Sequence, residues 1–304
     1  MTRRVAVTGA SGFIGGHVTR HLAACGIEVV ALRHPFERET LPDALRGVEA
    51  IVHLAGVVSA LRDREYIAAN VEGTRTIAEA AAAAGLPMIN ISSLAAAGPA
   101  SPRAPRSEGD PPMPINAYGR SKLAGERAIE RVDGLRWTTL RPGVVYGPRD
   151  RALLPLFRVA ASGLMPLVGR ADAAYSFIHV HDLTRAIAAA LDHPATGETM
   201  FASHPQAVTT RELLEGVRAA SGTRAVIVRI PMALTRVAAL AGDVAGRFRG
   251  RPSVINSRRY AELASEGFVC RVDRMRDRLG VVAEIGLKQG LASAYAWYRQ
   301  EGWL

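Results

Sequence analysis

The chain has 304 residues, 48 % of them hydrophobic and 22 % charged, which is the composition of a globular protein with room for one large domain or two smaller ones. Its two cysteines, Cys25 and Cys270, are too few for a disulfide framework and show no metal-ligand spacing, so a reducing, cytoplasmic setting is expected and no metal site is. The net charge of +10 raises nucleic acid as a partner, but the basic residues are scattered and lack a zinc-finger or aromatic RNA-binding signature, so the charge points to a phosphorylated cofactor or an anionic substrate.

In chain order, MTRRVAVTGA is too short in its apolar run for a secretory signal, and RVAVT (4–8) reads as a first strand. A helix follows at FIGGHVTRHLAAC, and the turn between the two carries Gly9, Gly12 and Gly15. At this spacing Gly9 permits a tight turn, Gly12 lets the backbone approach a pyrophosphate, and Gly15 lets the helix pack closely on the strand. The amino end of the helix then offers free N–H groups to phosphates, so a dinucleotide is expected here, touched by Ser11, Phe13 and Ile14 as well.

EVVAL (28–32) is a second strand. Glu28 opens it and would lie about 16 Å from the carboxyl end at ~3.3 Å per residue, where ligands of such sheets bind. The residue at that end is Arg33, suited to a ribose 2′-phosphate, so NADP(H) is favoured over NAD(H). AIVHLAG (50–56) is a third strand. A long helix is expected from about Glu65 to Ala84, then a strand at MINIS (88–92). Residues 98–114 hold six of the 17 prolines and must be a loop.

The next helix, INAYGRSKLAGERAIERV, sets Tyr118 four positions before Lys122, one above the other on a single face. Only two of the chain's 38 basic residues are lysines, so lysine at this position suggests a need for a compact ammonium. RWTTLRP (136–142) is a further strand, with Pro142 and Val144 on its cofactor side.

Strands alternating with helices predict an α/β fold, a doubly wound parallel sheet of the Rossmann kind. Beyond Tyr146 the rhythm loosens into helical segments, read as a second, smaller, mostly helical substrate domain. The boundaries expected are 1–145 with 176–196 for the dinucleotide-binding domain, and 146–175 with 197–304 for the substrate domain. IPMALTRVAALAGDVAG (230–246) is interrupted by Arg236 and Asp243, so it is read as an amphipathic helix packed on its own domain rather than on a bilayer, and no transmembrane helix is expected. The one basic cluster, RFRGRPSVINSRR, spans 247–259, and the aromatic tail AYAWYRQEGWL (294–304) reads as a terminal helix docked on the second domain.

The glycine loop together with Tyr118-x-x-x-Lys122 resembles the short-chain dehydrogenase/reductase superfamily, and the length resembles its extended, epimerase/dehydratase-like type. The likeness runs from Val5 to Asp182, and HLAGVV (53–58) resembles the family's strand-end segment along the cofactor, which implies that Leu54, Ala55 and Gly56 line the cofactor and Val57 the substrate. It implies that Asn70, in AANVEGT, is the helix asparagine of an active-site relay. It also implies that INISSLAAAGP (89–99) ends in the catalytic serine, with Ser93 favoured over Ser92. LRPGVVYGP and SFIHVHDL resemble family segments beside the nicotinamide and returning to the sheet, which brings Tyr146 and Tyr175 toward the substrate. By the same resemblance, the helices near Glu65 and Asn116 could pair in a homodimer.

The chemistry can be argued from the side chains. A phenol with a pKa near 10 is a poor proton-transfer group at pH 7, and a neighbouring ammonium with the positive ring of an oxidised nicotinamide should lower it. Tyr118 could then donate to a carbonyl oxygen or accept from a hydroxyl, with Ser93 holding the same oxygen, Lys122 on the ribose and Asn70 acting through water. The expected enzyme is an NAD(P)-dependent oxidoreductase acting on a ketone or secondary alcohol of a small molecule; the alternative is a nucleotide-sugar epimerase with tightly held NAD. A third reading is a non-catalytic cofactor-sensing protein, which the intact Ser93, Tyr118 and Lys122 set argues against.

Two departures from the family narrow the substrate. Leu94 and Ala95 follow Ser93 where sugar dehydratases carry an Asp-Glu pair. Tyr175-Ser176-Phe177 stands where nucleotide-sugar epimerases usually carry Arg-Asp-Phe; Arg149, Arg151 or Arg170 could replace that diphosphate clamp. The family's strand and acid at the adenine also seem missing from the short stretch between Arg33 and Ala50. His53 reads as a strand-end packing residue, His179 and His181 as flanking a strand end, and Asp182 as a first-turn charge.

Overall fold

The computed structural model describes residues 3–193, 197–249 and 257–304. Its first half alternates β1 (Arg4–Thr8), α1 (Phe13–Ala24), β2 (Glu28–Leu32), the short α2 (Leu41–Ala44) and β3 (Ala50–His53). Then come α3 (Asp63–Ile67), a π-helical turn at Ala68–Glu72, α4 (Gly73–Ala83), β4 (Met88–Ile91), α5 (Ala117–Glu130) and β5 (Trp137–Pro142). The helix expected over 65–84 is therefore one continuous path with an extra residue in its middle turn. The π turn carries Asn70, whose side chain it directs inward to bonds described below.

The second half runs β6 (Val144–Tyr146), α6 (Leu154–Ala161), β7 (Leu164–Val168), β8 (Ala174–Tyr175), β9 (Phe177–His179), α7 (Val180–Asp192) and β10 (Glu198–Ala202). It continues through β11 (Val208–Thr209), α8 (Thr210–Ser221), β12 (Val226–Ile230), α9 (Met232–Arg249), α10 (Ser257–Ala264), β13 (Gly267–Phe268), α11 (Asp273–Leu279) and α12 (Leu287–Gln300). Of the basic cluster 247–259, residues 250–256 lie outside the described residues.

Six strands form one parallel sheet in the order β10-β5-β4-β3-β1-β2. The inner strands β1, β3, β4 and β5 are buried on both faces, which is why the sequence shows continuous apolar runs rather than alternation. Along β1, Val5 and Val7 face α1 and α7 through Val18, Leu22, Leu183 and Ile187, whereas Ala6 faces α4 and α5 through Ile77, Ala81 and Ile129. The chain reverses direction between β1 and β3, so their carboxyl ends open a crevice at the switch point where ligands of such sheets bind. The sheet stops at β2: the stretch to β3 contains only α2, and the strand that the resemblance led one to expect beyond β2 is missing.

The expected domain boundary at 196 falls short of the sheet. β10 pairs with β5 along its whole length, and Met275, Leu279, Val281 and Ala283 join the same core as β1 and α7. Periodicity alone could not show that these later segments return to the first domain. The second core gathers Tyr146, Phe157, Met165, Leu214, Val217, Leu291 and Tyr298 from β6, α6, β7, α8 and α12. The aromatic tail docks there as expected, Tyr298 stacking with Trp303 and packing its edge on Phe157. Helix α9 departs from expectation: Thr235 and Ala239 face inward while Leu234 and Val237 face solvent.

His53 ties the layers together. It is fully buried, with Nδ1 2.9 Å from Thr8 Oγ1 on β1 and Nε2 3.0 Å from Thr74 Oγ1 on α4. Burial drives its pKa down to about 3, and those of His17 and His179 to about 4. An imidazole held neutral in the fold binds its proton more readily unfolded, so this stability is present above about pH 6.5 and is lost as pH falls toward those lower values. Asp150, raised to about 6 by burial, acts in the opposite sense, but one carboxyl faces three imidazoles with larger shifts. The urea midpoint should therefore fall between pH 7 and pH 5, and a His53→Gln protein, less stable at pH 7, should show a flatter profile.

Candidate active site

The functional side chains sit along the carboxyl edge of the sheet, each delivered by a different strand end. The glycine loop closes with Gly12 N–H donating to Gly9 O over 2.9 Å. Gly9 has φ +67°, and a Cβ there would lie 2.9 Å from Ala55 N, so both the turn and the strand-end contact require glycine. At Gly15 a Cβ would overlap the Gly9 carbonyl. Helix α1 has no side-chain cap and no acid in its first turn, so its leading N–H groups are open to an anion. Ser11 and Gly12 are exposed, and Phe13 and Ile14 are half-buried beside them. These features fit a dinucleotide phosphate.

Thr8 fixes the neighbouring wall, its Oγ1 accepting from Leu54 N (3.1 Å) and Ala55 N (3.0 Å). Gly56 follows, exposed; a Cβ there would lie 3.7 Å from Lys122 Nζ. Arg33 stands exposed immediately after β2 on the same edge, and Pro142 and Val144 flank the end of β5. The sequence-expected cofactor residues thus share one edge.

Helix α5 brings the reacting groups in. Its N-cap is Asn116, whose Oδ1 accepts from Gly119 N over 2.7 Å. Two interior glycines set its position: a Cβ at Gly119 would strike the Ala95 carbonyl, and one at Gly125 the Asn70 carbonyl. Glycine inside a helix costs about 1 kcal/mol relative to alanine, so the pair marks close backbone approach, a signal readable in the sequence but passed over there. The approach places the Tyr118 phenol beside the Ser93 hydroxyl, which opposes the rise in the phenol's pKa. Ser93 also caps the short 3-10 turn after β4, accepting from Ala95 N over 3.1 Å. Ser92 is buried with its hydroxyl pointing away from any partner among the described residues, so the geometry brings Ser93, not Ser92, to the phenol.

Lys122 is 7 % exposed and donates to Ile91 O over 2.8 Å. One turn on, Glu126 grips Arg141 of β5 with three contacts of 2.6 to 3.2 Å, the pair fully enclosed. Neither residue was singled out from the sequence, where they look like ordinary surface charges. Asn70 is 1 % exposed and its amide is fully engaged: Nδ2 donates to Val57 O and Ser121 Oγ (2.9 Å each), and Oδ1 accepts from Val57 N (2.8 Å). It thereby locks the loop after β3, with Val57, to α5.

The electrostatics differ from the sequence expectation. Burial raises the Tyr118 phenol to about 12, with the Ser93 hydroxyl opposing and Glu262 adding to the rise. Lys122 is turned to the Ile91 carbonyl and is itself brought down to about 8 by burial, against the pull of Glu126. Glu262 belongs to α10, which folds over the site and meets the Asn116 amide of the α5 cap. No local pattern could have found it, since 146 residues separate the two.

Of the expected substrate residues, Val57 and Ser93 lie at the cleft, and Tyr175 packs beside Leu94 and Ala97, stacked on Phe268. Tyr146 does not: it is 1 % exposed, its ring against Phe177 and His179 in the space left by Gly290. Two of the three candidate replacement arginines are also occupied. Arg151 lies over the Trp303 ring at 5.1 Å, Arg170 is paired bidentately with Asp172, and Arg149 sits beside His17 and Arg20. Large apolar side chains are also exposed near this edge: Val58, Met113, Ile115 and Val144. His179 and His181 cluster with His17, which the sequence did not single out, and among the described residues no His, Cys, Asp and Glu group is arranged to hold a metal.

Residues 5–202 match the model of the NAD dependent epimerase/dehydratase family. The chain is 30 % identical to a ceramide reductase of Caulobacter vibrioides (strain NA1000 / CB15N), over 99 % of this chain and 96 % of that protein. Among solved structures it is similar to MoeE5 in complex with UDP-glucuronic acid and NAD (TM-score 0.78, 25 % identity, 98 % of this chain and 99 % of that one). It is likewise similar to RMD from Pseudomonas aeruginosa complexed with NADPH (TM-score 0.76, 25 % identity, 98 % and 100 %). Because α5 touches Asn70 through a glycine, Gly125→Ala should destabilise the protein by about 1–3 kcal/mol, as overpacking does, read as a lowered urea midpoint at unchanged slope.

Proposed function

This chain belongs to the NAD dependent epimerase/dehydratase family, and from that premise we infer that it is an NADP(H)-dependent carbonyl reductase whose substrate is apolar or lipid-like. The observation that carries the reading is the Ser93 hydroxyl set beside the Tyr118 phenol, at an edge that also exposes Val58, Met113, Ile115 and Val144. The occupied arginines argue against a nucleotide diphosphate as substrate, and the ceramide reductase relative supports a lipid-like one.

Gly9, Ser11, Gly12 and the amino end of α1 would hold the pyrophosphate, Arg33 the 2′-phosphate and Lys122 the nicotinamide ribose. When bound, the dinucleotide supplies the hydride that goes to the carbonyl carbon. Tyr118 gives its phenolic proton to the oxygen, so that the C=O double bond becomes a C–O–H group, while Ser93 holds the same oxygen. A phenol kept near pKa 12 is protonated at neutral pH, the form a reduction needs. Glu126 favours the charged form of Lys122, whose ammonium would steady the phenolate left after transfer. Asn70 acts as a positioning residue, fixing Val57 against α5.

Tyr118→Phe should lower kcat for ketone reduction by about 10²–10⁴-fold while NADPH binding, followed by fluorescence, stays within twofold. Full turnover by this variant would overturn the mechanism. In the wild-type protein, reduction should be favoured at neutral pH and alcohol oxidation should climb as pH rises toward the phenol's range. Arg33→Ser should raise KM for NADPH about tenfold with little change for NADH; equal KM values for the two cofactors in the wild-type protein would remove the NADP(H) preference.

A further inference from the structure

Helix α9 is built inside out. The residues it turns inward are small, Thr235 at 2 % and Ala239 at 1 % exposure, while Leu234, Val237, Leu240 and Phe248 are 60, 65, 56 and 88 % exposed. At 100° per residue these four, with the exposed Ala233 and Ala241, occupy an arc of about 120°, and Arg236 and Asp243 fall outside it. Ordinary surface helices present the opposite pattern, and a run of large apolar side chains along one exposed face marks a binding surface. Just upstream, Val226 and Val228 of β12 are also exposed.

The charge around this face is one-sided. Residues 224–259 contain eight arginines and a single acid, Asp243, so that this stretch carries +7 of the chain's +10. Arg224, Arg229 and Arg236 are exposed within it. An apolar face bordered by arginine matches a surface that is apolar within and anionic at its rim, which is the profile of a bilayer containing acidic phospholipid. No helix among the described residues is long and apolar enough to cross a membrane, so contact would be from one side.

The face is also next to the candidate active site. Helix α9 packs on α10, and α10 carries Glu262 to the cap of the Tyr118 helix and Leu263 to the Gly169 turn. We propose that α9 is a membrane-surface helix, seating its outward face in the headgroup and acyl boundary of an anionic bilayer so that the neighbouring cleft meets its substrate at the lipid surface. The docking stands on the α9 face alone; the role given to it rests on the lipid-like substrate inferred above. It replaces the expectation that this helix packs on its own domain and that the chain has no membrane partner.

The test uses the full chain and sedimenting vesicles of phosphatidylglycerol with phosphatidylcholine, or of phosphatidylcholine alone. Anionic vesicles should carry down the protein at least about tenfold better than neutral ones, and about 0.5 M salt should release most of it. A Leu234→Glu/Val237→Glu protein should lose binding about tenfold or more while keeping its thermal midpoint and its NADPH-dependent reduction of a short, water-soluble ketone. If that variant does not fold, Phe248→Ser, changed at the most exposed of the four positions, serves the same purpose. Absence of vesicle binding, or equal binding by the variants, overturns the proposal. So does a dimer in sedimentation that the substitutions dissolve without any vesicle binding, which would assign the face to a second copy, or binding of duplex DNA in preference to vesicles. Failure of the wild-type protein to reduce any ketone would count against the proposed reaction and leave the docking result standing.

Discussion

The site depends on how closely α5 can approach the loops beside it. Gly119 lets its backbone touch the carbonyl after Ser93, and Gly125 lets it touch the carbonyl of Asn70. These two contacts fix the helix at both ends of its reactive turn. Between them Tyr118 and Lys122 have nowhere to go but toward Ser93 and the end of β4. The π turn at Ala68–Glu72 is the matching half of this device, since the extra residue turns Asn70 inward to bond Val57 and Ser121. Rigid elements on both sides then hold the reacting groups without relying on loops.

Electrostatics follow from the same packing. A lysine and a tyrosine enclosed together lose solvent, and each shifts toward its neutral form. Glu126 offsets part of this for the lysine, and because it is enclosed with Arg141 through three hydrogen-bond contacts, neither charge is left bare. The second unit enters the balance through Glu262, a negative charge that reaches Tyr118 from α10. The acidity of the phenol is therefore set by both halves of the molecule, and a movement of α10 would change it.

Much of this was legible in the sequence where local rules determine geometry. The glycine loop, the alternation of strands and helices and the four-residue spacing of Tyr118 and Lys122 each follow from backbone sterics and helical period, and they led to the correct architecture and edge. The sequence reading failed where long-range packing decides. β10 and the 273–283 segment rejoin the first core across a long excursion, and Tyr146 is drawn into the second core by the gap at Gly290. Spacing reports that Tyr118 and Lys122 are neighbours but not that both are enclosed and that the ammonium turns to the Ile91 carbonyl. Helix α9 was misread because periodicity shows that a helix has an apolar face, not which way that face points.

The sheet that ends at β2 has a consequence for how long the coenzyme stays. With no strand beyond β2, that edge offers only a short connection and the exposed Arg33, and on the proposed reading the adenosine end would rest there, held less firmly than the phosphates. A half-gripped dinucleotide behaves as a cosubstrate drawn from the cell's reducing pool and returned spent, rather than as a resident prosthetic group. On the proposed reading, the truncated edge commits the protein to one-way use of reducing power and away from the closed oxidation and re-reduction cycle of an epimerase.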